Sequence, residues 1–206
     1  MLDGTYPGML ASVADFLNRG DLTASIPDFL TLAETDLNRK LRTRLMTART
    51  TTTINAQYDT LPVDFAGVIS MQNVLGKPIN ARDPDAMALI TTANIGAGSN
   101  ITDYAVIGGS FQFYPIPVAN QIVVMSYYQR IPALSLNPTG NWISLKHPDA
   151  YLYGALTAAA PYMQDDDRLS VWSGLYQNAI DSILAQDMGE RYGARLTPQP
   201  SVLQIV

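Results

Sequence analysis

The chain has 206 residues, 47% hydrophobic and 15% charged, with 13 basic against 18 acidic side chains for a net charge of −5. That length supports one well-cored domain or a domain carrying an insertion, and the acidic balance argues against a protein whose main task is to hold nucleic acid, which needs a basic face. There is no cysteine, which excludes disulfides and thiolate metal sites, and neither a transmembrane run nor a signal peptide is expected.

Residues 1–8 read as an irregular arm, and Met9 to Leu17 as a short helix with Met9, Val13, Phe16 and Leu17 on one side. Gly20 suits the left-handed residue that ends it. Ser25 to Met46 then reads as one long helix. Leu30, Ala33, Leu37, Leu41 and Leu45 recur at spacings of three and four, with Phe29 and Leu32 widening the stripe. Ser25 is the expected N-cap, with Pro27 and Asp28 in the first turn. Asp28, Glu34 and Asp36 precede Arg39, Lys40, Arg42 and Arg44, an order that complements the helix dipole. The two helices make an αα-hairpin core.

From Ala48 the pattern changes. Arg49 to Ile54 is β-branched and strand-like, Thr60 to Phe65 is a turn, and Gly67 to Leu75 alternates as a strand. Asp83-Pro84 opens a short helix reaching Thr91, and residues 95–100 form a loop. Thr102 to Ile107 and Ser110 to Tyr114 flank Gly108-Gly109, a hairpin connection in which both residues tolerate positive φ. Gln121 to Arg130 is a further strand. The span 54–130 is therefore mostly antiparallel β. Helix returns at Pro148, runs buried to Met163 with a kink or early end at Pro161, and resumes from Arg168 to Met188. The expected fold is α+β: a helical bundle, with long helices near 26–46, 148–164 and 168–188, interrupted by a β-rich insertion. Its parts are residues 1–48, 49–145, 146–193 and an extended arm, 194–206. That arm carries Pro198 and Pro200 and ends on Val202, Leu203, Ile205 and Val206, so it needs cover from its own domain or a neighbour.

No catalytic constellation stands out. Asp165-Asp166-Asp167 is the one acidic run, and consecutive side chains diverge, so it reads as a solvated turn with Asp167 capping the next helix. His147 is the sole histidine, so it could supply no more than a single member of a His-based zinc site or a Ser-His-Asp triad; at the start of a helix it reads as a cap or packing residue. Gly96-Ala-Gly98 lacks the Gly-Lys-Ser/Thr end of a P-loop. No cofactor or metal is expected. The candidate partner-binding residues are Arg39, Arg42 and Arg44 of a basic cluster that also holds Lys40 and Arg49, together with Val202, Leu203, Ile205 and Val206.

The run from Asp15 to Met46 resembles the N-terminal helix pair of head-to-tail adaptor proteins of short-tailed, double-stranded-DNA bacteriophages. The shared pattern is carried by Arg19, Asp21, Leu22, Ile26, Pro27, Phe29, Leu30, Leu32, Ala33, Glu34, Leu37, Asn38, Arg39, Leu41 and Arg42. The second half agrees at Leu61-Pro62, Asp64-Phe65, Tyr127-Tyr128, Asn141-Trp142, the run from His147 to Leu156, Ala159 to Pro161 and Asp166-Asp167. The resemblance spans Val13 to Tyr192, while Asn80 to Asn100 matches no part of it. It implies a structural virion protein at the head-tail interface, made in the host cytoplasm. It further implies a homo-oligomeric, twelve-fold ring docked beneath the portal protein, with a C-terminal extension reaching neighbouring chains or the portal. Such a ring lengthens the DNA channel, lets genomic DNA pass without specific binding, and offers a platform to tail nozzle or tail fibre proteins, with no membrane partner. A cell-wall hydrolase acting during entry, or a homo-ring tail-tube or neck component not docked on a portal, are the alternatives.

Overall fold

The computed structural model describes residues 3–93, 97–98, 100–118, 120–163 and 167–192. It is an α+β fold in two compact units, one built from the chain up to Leu45 and from Ile131 onward, the other from Met46–Arg130.

The first helix, α1 (Tyr6–Leu17), begins earlier than its apolar pattern suggests, because the Thr5 hydroxyl accepts the Gly8 N–H at 3.1 Å and Pro7 occupies the first turn. Phe16, expected on the apolar side, is largely exposed. The left-handed residue at its end is Asn18, φ 52°, and not Gly20; asparagine is the side chain that best tolerates that region. Gly20 instead opens a 3-10 turn, Gly20–Ser25, that runs directly into α2 (Ile26–Lys40). Ser25 is therefore already helical and makes no side-chain cap bond. Ile26, Phe29, Leu30, Ala33 and Leu37 are buried, but Leu32 faces outward.

The second helix stops at Lys40, short of the expected Met46. Leu41 is extended (φ −92°, ψ 137°), and the Arg42 guanidinium donates to the carbonyls of Asn38 and Leu41 at 2.6 Å each, satisfying the helix end. Beyond it burial alternates: Leu41 and Thr43 are inside, Arg42 and Arg44 outside. A spacing of four, as between Leu41 and Leu45, fits a helix and an extended chain equally well.

The second unit holds β1 (Thr47–Ile54), β2 (Tyr58–Thr60), β3 (Phe65–Asn73), β4 (Asn80–Ala81), α3 (Pro84–Ala93), β5 (Ala97–Gly98), β6 (Asp103–Ile107), β7 (Ser110–Tyr114), β8 (Ile116–Pro117) and β9 (Gln121–Gln129). One sheet has the order β1-β9-β3 and is antiparallel, with Thr50 and Met71 both opposite Met125. The other has the order β2-β7-β6-β4, antiparallel except that the short β4 runs parallel to β6. A short parallel pair, β5-β8, completes the strands. Side chains from both larger sheets make one core: Ile54, Met71, Val123 and Met125 from the first, Tyr104, Phe111 and Phe113 from the second. Phe65 meets Phe111 edge-on, ring centroids 5.7 Å apart. The hairpin at Gly108-Gly109 forms as expected, with positive φ at Gly108 alone.

Residues 131–145, assigned to the insertion from the sequence, pack instead with the first unit. Two polar residues of α2, one turn apart, catch this returning chain. The Ile131 N–H donates to Asn38 Oδ1 at 2.9 Å and the Leu134 N–H to Glu34 Oε1 at 2.6 Å. Next, Asn141 caps α4 (Trp142–Lys146): its Oδ1 accepts the N–H groups of Ile143 and Ser144, and its own N–H is bonded to Ser144 Oγ. Asn141 Nδ2 donates to the Pro132 carbonyl at 2.9 Å and to the Tyr151 hydroxyl at 2.7 Å. Tyr151 lies on α5 (Pro148–Ala158), buried beside Glu34.

The helix expected to reach residue 164 ends at Ala158 and tightens to a 3-10 turn at Ala160–Tyr162, because Pro161 has no N–H to give the Thr157 carbonyl. The last helix, α6 (Arg168–Tyr192), runs past the expected Met188. Gly154 lets α5 approach its neighbours: a Cβ there would lie 3.0 Å from the Tyr176 ring and 3.1 Å from Ala33 Cβ.

Burial pushes the Glu34 carboxyl above its ordinary value of 4.5, against the lowering effect of its hydrogen bonds from Leu134 and Tyr151. A raised folded value gives stability that is complete below the unfolded value and lost as pH rises through the folded one. The stability of the natural chain relative to Glu34→Gln should therefore fall as pH rises from 4.5 toward neutrality. Urea titrations of both proteins at several pH values test this, and a constant difference would refute it.

Candidate interaction surfaces

The basic residues at the end of α2 are not one outward patch. Lys40 pairs with Asp36 at 2.8 Å and its ammonium stands 4.9 Å from the centre of the Tyr176 ring. Burial would raise the Asp36 carboxyl, but the Lys40 pair and the Tyr176 hydroxyl, donating at 2.8 Å, hold it below its usual value. Arg42 is exposed, yet its guanidinium rests on the helix-end carbonyls. Arg39 is exposed on the last turn, and Arg49 lies on β1 in the other unit.

Arg44 is engaged within the first unit. Its N–H donates to Asp187 Oδ1 at 2.8 Å and its side chain pairs with Glu190, both on the last turns of α6. Asp187, nearly buried, also takes Arg191 Nε at 2.9 Å, while Arg191 Nη2 donates to the Arg42 carbonyl at 3.2 Å. This cluster fastens the chain after α2 to the end of α6. Sequence reading missed it because the partners of Arg44 stand more than a hundred positions away, and only the alternation Leu41-Arg42-Thr43-Arg44-Leu45 hinted that the chain leaves the helix there.

Val202, Leu203, Ile205 and Val206 lie outside the described residues, as do Asp165 and Asp166; Asp167 is exposed on a turn. His147 is half-buried where α4 meets α5. It makes no side-chain cap bond, and burial moves its imidazole below the usual value. Among the described residues, no three histidine or carboxylate side chains are grouped to hold a metal ion, and no helix is long and apolar enough to cross a membrane.

A second surface, in the β unit, has no counterpart in the sequence reading. Between the edge strand β1 and the edge strand β2 lies a cleft of about 260 Å³, walled by Ile54, Leu61, Val63, Phe111, Phe113 and Met125, with Thr50 and Thr52 of β1 on its rim. Val63 stands fully exposed at its mouth.

The family model for the SU10 adaptor protein matches residues 4–199, and the chain belongs to that family, in keeping with its resemblance to bacteriophage head-to-tail adaptors. No curated protein matches the chain.

Proposed function

We propose that this phage adaptor forms a ring, twelve-fold as the resemblance implies, that docks beneath the portal at the virion neck, lengthens the DNA channel and offers the tail its attachment platform. Family membership across nearly the whole chain carries the reading. Two features support it. The net charge of −5 suits a conduit through which DNA slides without sticking. In the helical unit the buried Glu34, Asn141 and Tyr151 and the half-buried Asn38 are spent on holding its own backbone and side chains together. The portal, tail nozzle or fibre proteins and further copies of the chain are the proposed partners, with Arg39, Arg42 and the segment carrying Val202, Leu203, Ile205 and Val206 as contact residues.

Co-sedimentation of the chain with its portal, with electron microscopy of the pelleted complex, tests the reading. Rings on the portal are expected; failure of the two proteins to associate would overturn it. Arg39→Glu should weaken that association while leaving folding intact, and the natural complex should weaken as salt rises. Arg44→Glu, by contrast, should lower monomer stability, because it places a carboxylate against Asp187 and Glu190. Salt-independent assembly, or normal assembly of the Arg39→Glu chain, would remove Arg39 from the interface.

A further inference from the structure

We propose that copies of this chain join through their β units, the apolar tip Val74-Leu75 of one copy entering the Phe111–Phe113 cleft of the next. The inference deepens the ring reading and rests on it, since it names the contact between copies.

The tip directly follows β3 and presents two adjacent branched aliphatic side chains, Val74 66% and Leu75 70% exposed. Turns are normally built from small or polar residues, and here Asn73 and Gly76 shape the turn while the two aliphatics project from it. Asn73 Oδ1 accepts the N–H groups of Leu75 and Lys77 at 3.0 Å each, the Gly76 N–H donates to the Asn73 carbonyl at 2.9 Å, and Gly76 takes φ 75°. The tip is therefore held in shape before it meets a partner, which lowers the ordering cost of binding. Lys77 is exposed beside it and has no ion-pair partner among the described residues.

The cleft is the converse of the tip. Its walls are apolar, Asp59 is the one carboxylate on its lining, and that carboxylate too has no ion-pair partner among the described residues. Asp59 Oδ1 accepts only the N–H of Thr60 next to it. The volume of about 260 Å³ exceeds the ~150 Å³ of a cavity that takes a benzene-sized guest, so it has room for the aliphatic side chains of the tip. Apolar tip then meets apolar wall, and the unpaired ammonium of Lys77 meets the unpaired carboxylate of Asp59, which favours a second copy as the occupant. Within one copy the tip is held away from Val63 at the cleft's mouth. Val63 precedes β3 and Leu75 follows it, and the β9 partners of that strand run from Gln129 opposite Phe65 to Val123 opposite Asn73. At ~3.4 Å per residue the two ends of the strand stand about 20 Å apart. The contact is therefore head to tail, and a head-to-tail contact repeats from copy to copy until its rotation closes a ring.

The chain contains no cysteine, so introduced thiols report contact without background. A full-length chain carrying Val63→Cys and Leu75→Cys is oxidised, alone and with portal. Both positions are exposed, so the substitutions spare the fold. Each copy should be joined to two others, giving a ladder of trimers and larger oligomers in at least one sample, while neither single-cysteine chain gives dimers at comparable yield. Adding Lys77→Asp should reduce the ladder at least fivefold, and adding Asp59→Lys as well should restore it to within twofold. Dimers alone, a cross-link confined to one copy, no ladder in either sample, or equal yields from a single-cysteine chain overturns the contact. So does indifference to Lys77→Asp or failure of Asp59→Lys to restore the ladder. Rings on the portal without a ladder would sink this inference and leave the adaptor reading standing; a ladder without portal association would do the reverse.

Discussion

Leu37→Ala should lower the unfolding free energy by about 2–5 kcal/mol, the range for removing a leucine side chain from a packed core. Leu37 is fully buried on the face of α2 that packs along α5, and the neighbouring stripe residues Phe29, Leu30, Ala33 and Leu41 are buried with it. The loss combines the transfer term for the deleted atoms with the cavity left behind, since Gly154 already brings α5 close to α2 and leaves little slack to collapse. Leu32→Ala is the control. The same residue type on the same helix is 56% exposed, and its loss should fall within about 0.5 kcal/mol of zero. Urea midpoints of the three proteins decide, and a wild-type midpoint for Leu37→Ala would contradict the packing.

The second large effect is expected at Asn141. Its side chain accepts two backbone N–H groups at the start of α4 and donates to the Pro132 carbonyl and the Tyr151 hydroxyl, all in the interior. Asn141→Ala removes a helix cap, costing about 1 kcal/mol, and leaves buried donors and acceptors unmade, costing roughly 1–3 kcal/mol more. Ser144→Ala, which removes the reciprocal bond to the Asn141 N–H and the hydroxyl's own 3.1 Å donation to the Asn141 carbonyl, should cost less. The order of the two thermal midpoints tests this, and a Ser144→Ala chain less stable than Asn141→Ala would reverse the assignment.

The sequence made the elements of this fold legible wherever a local cause suffices. The apolar stripe from Leu30 to Leu37 has the helical period. Gly108 permits the turn between β6 and β7, and Pro161 stops α5 by withholding a hydrogen-bond donor. Past Lys40 the local signal was ambiguous: the four-residue spacing of Leu37, Leu41 and Leu45 fits a continuing helix, yet Leu41 and Thr43 are buried as alternate residues of an extended chain. The family resemblance pointed to Glu34, Asn38 and Asn141 without giving their work.

What the sequence determined by itself was an α+β chain with an acidic balance, two sets of helices flanking a β-rich span, and an adaptor pattern running through both. The tertiary structure decided where polar partners meet. Glu34 reaches Leu134 and Arg44 reaches Asp187 across separations of 100 and 143 residues, and no local period encodes such pairs. It also decided which strands stand at the sheet edges, because an edge is defined by which strand lies beside it, and strand order is a property of the folded chain.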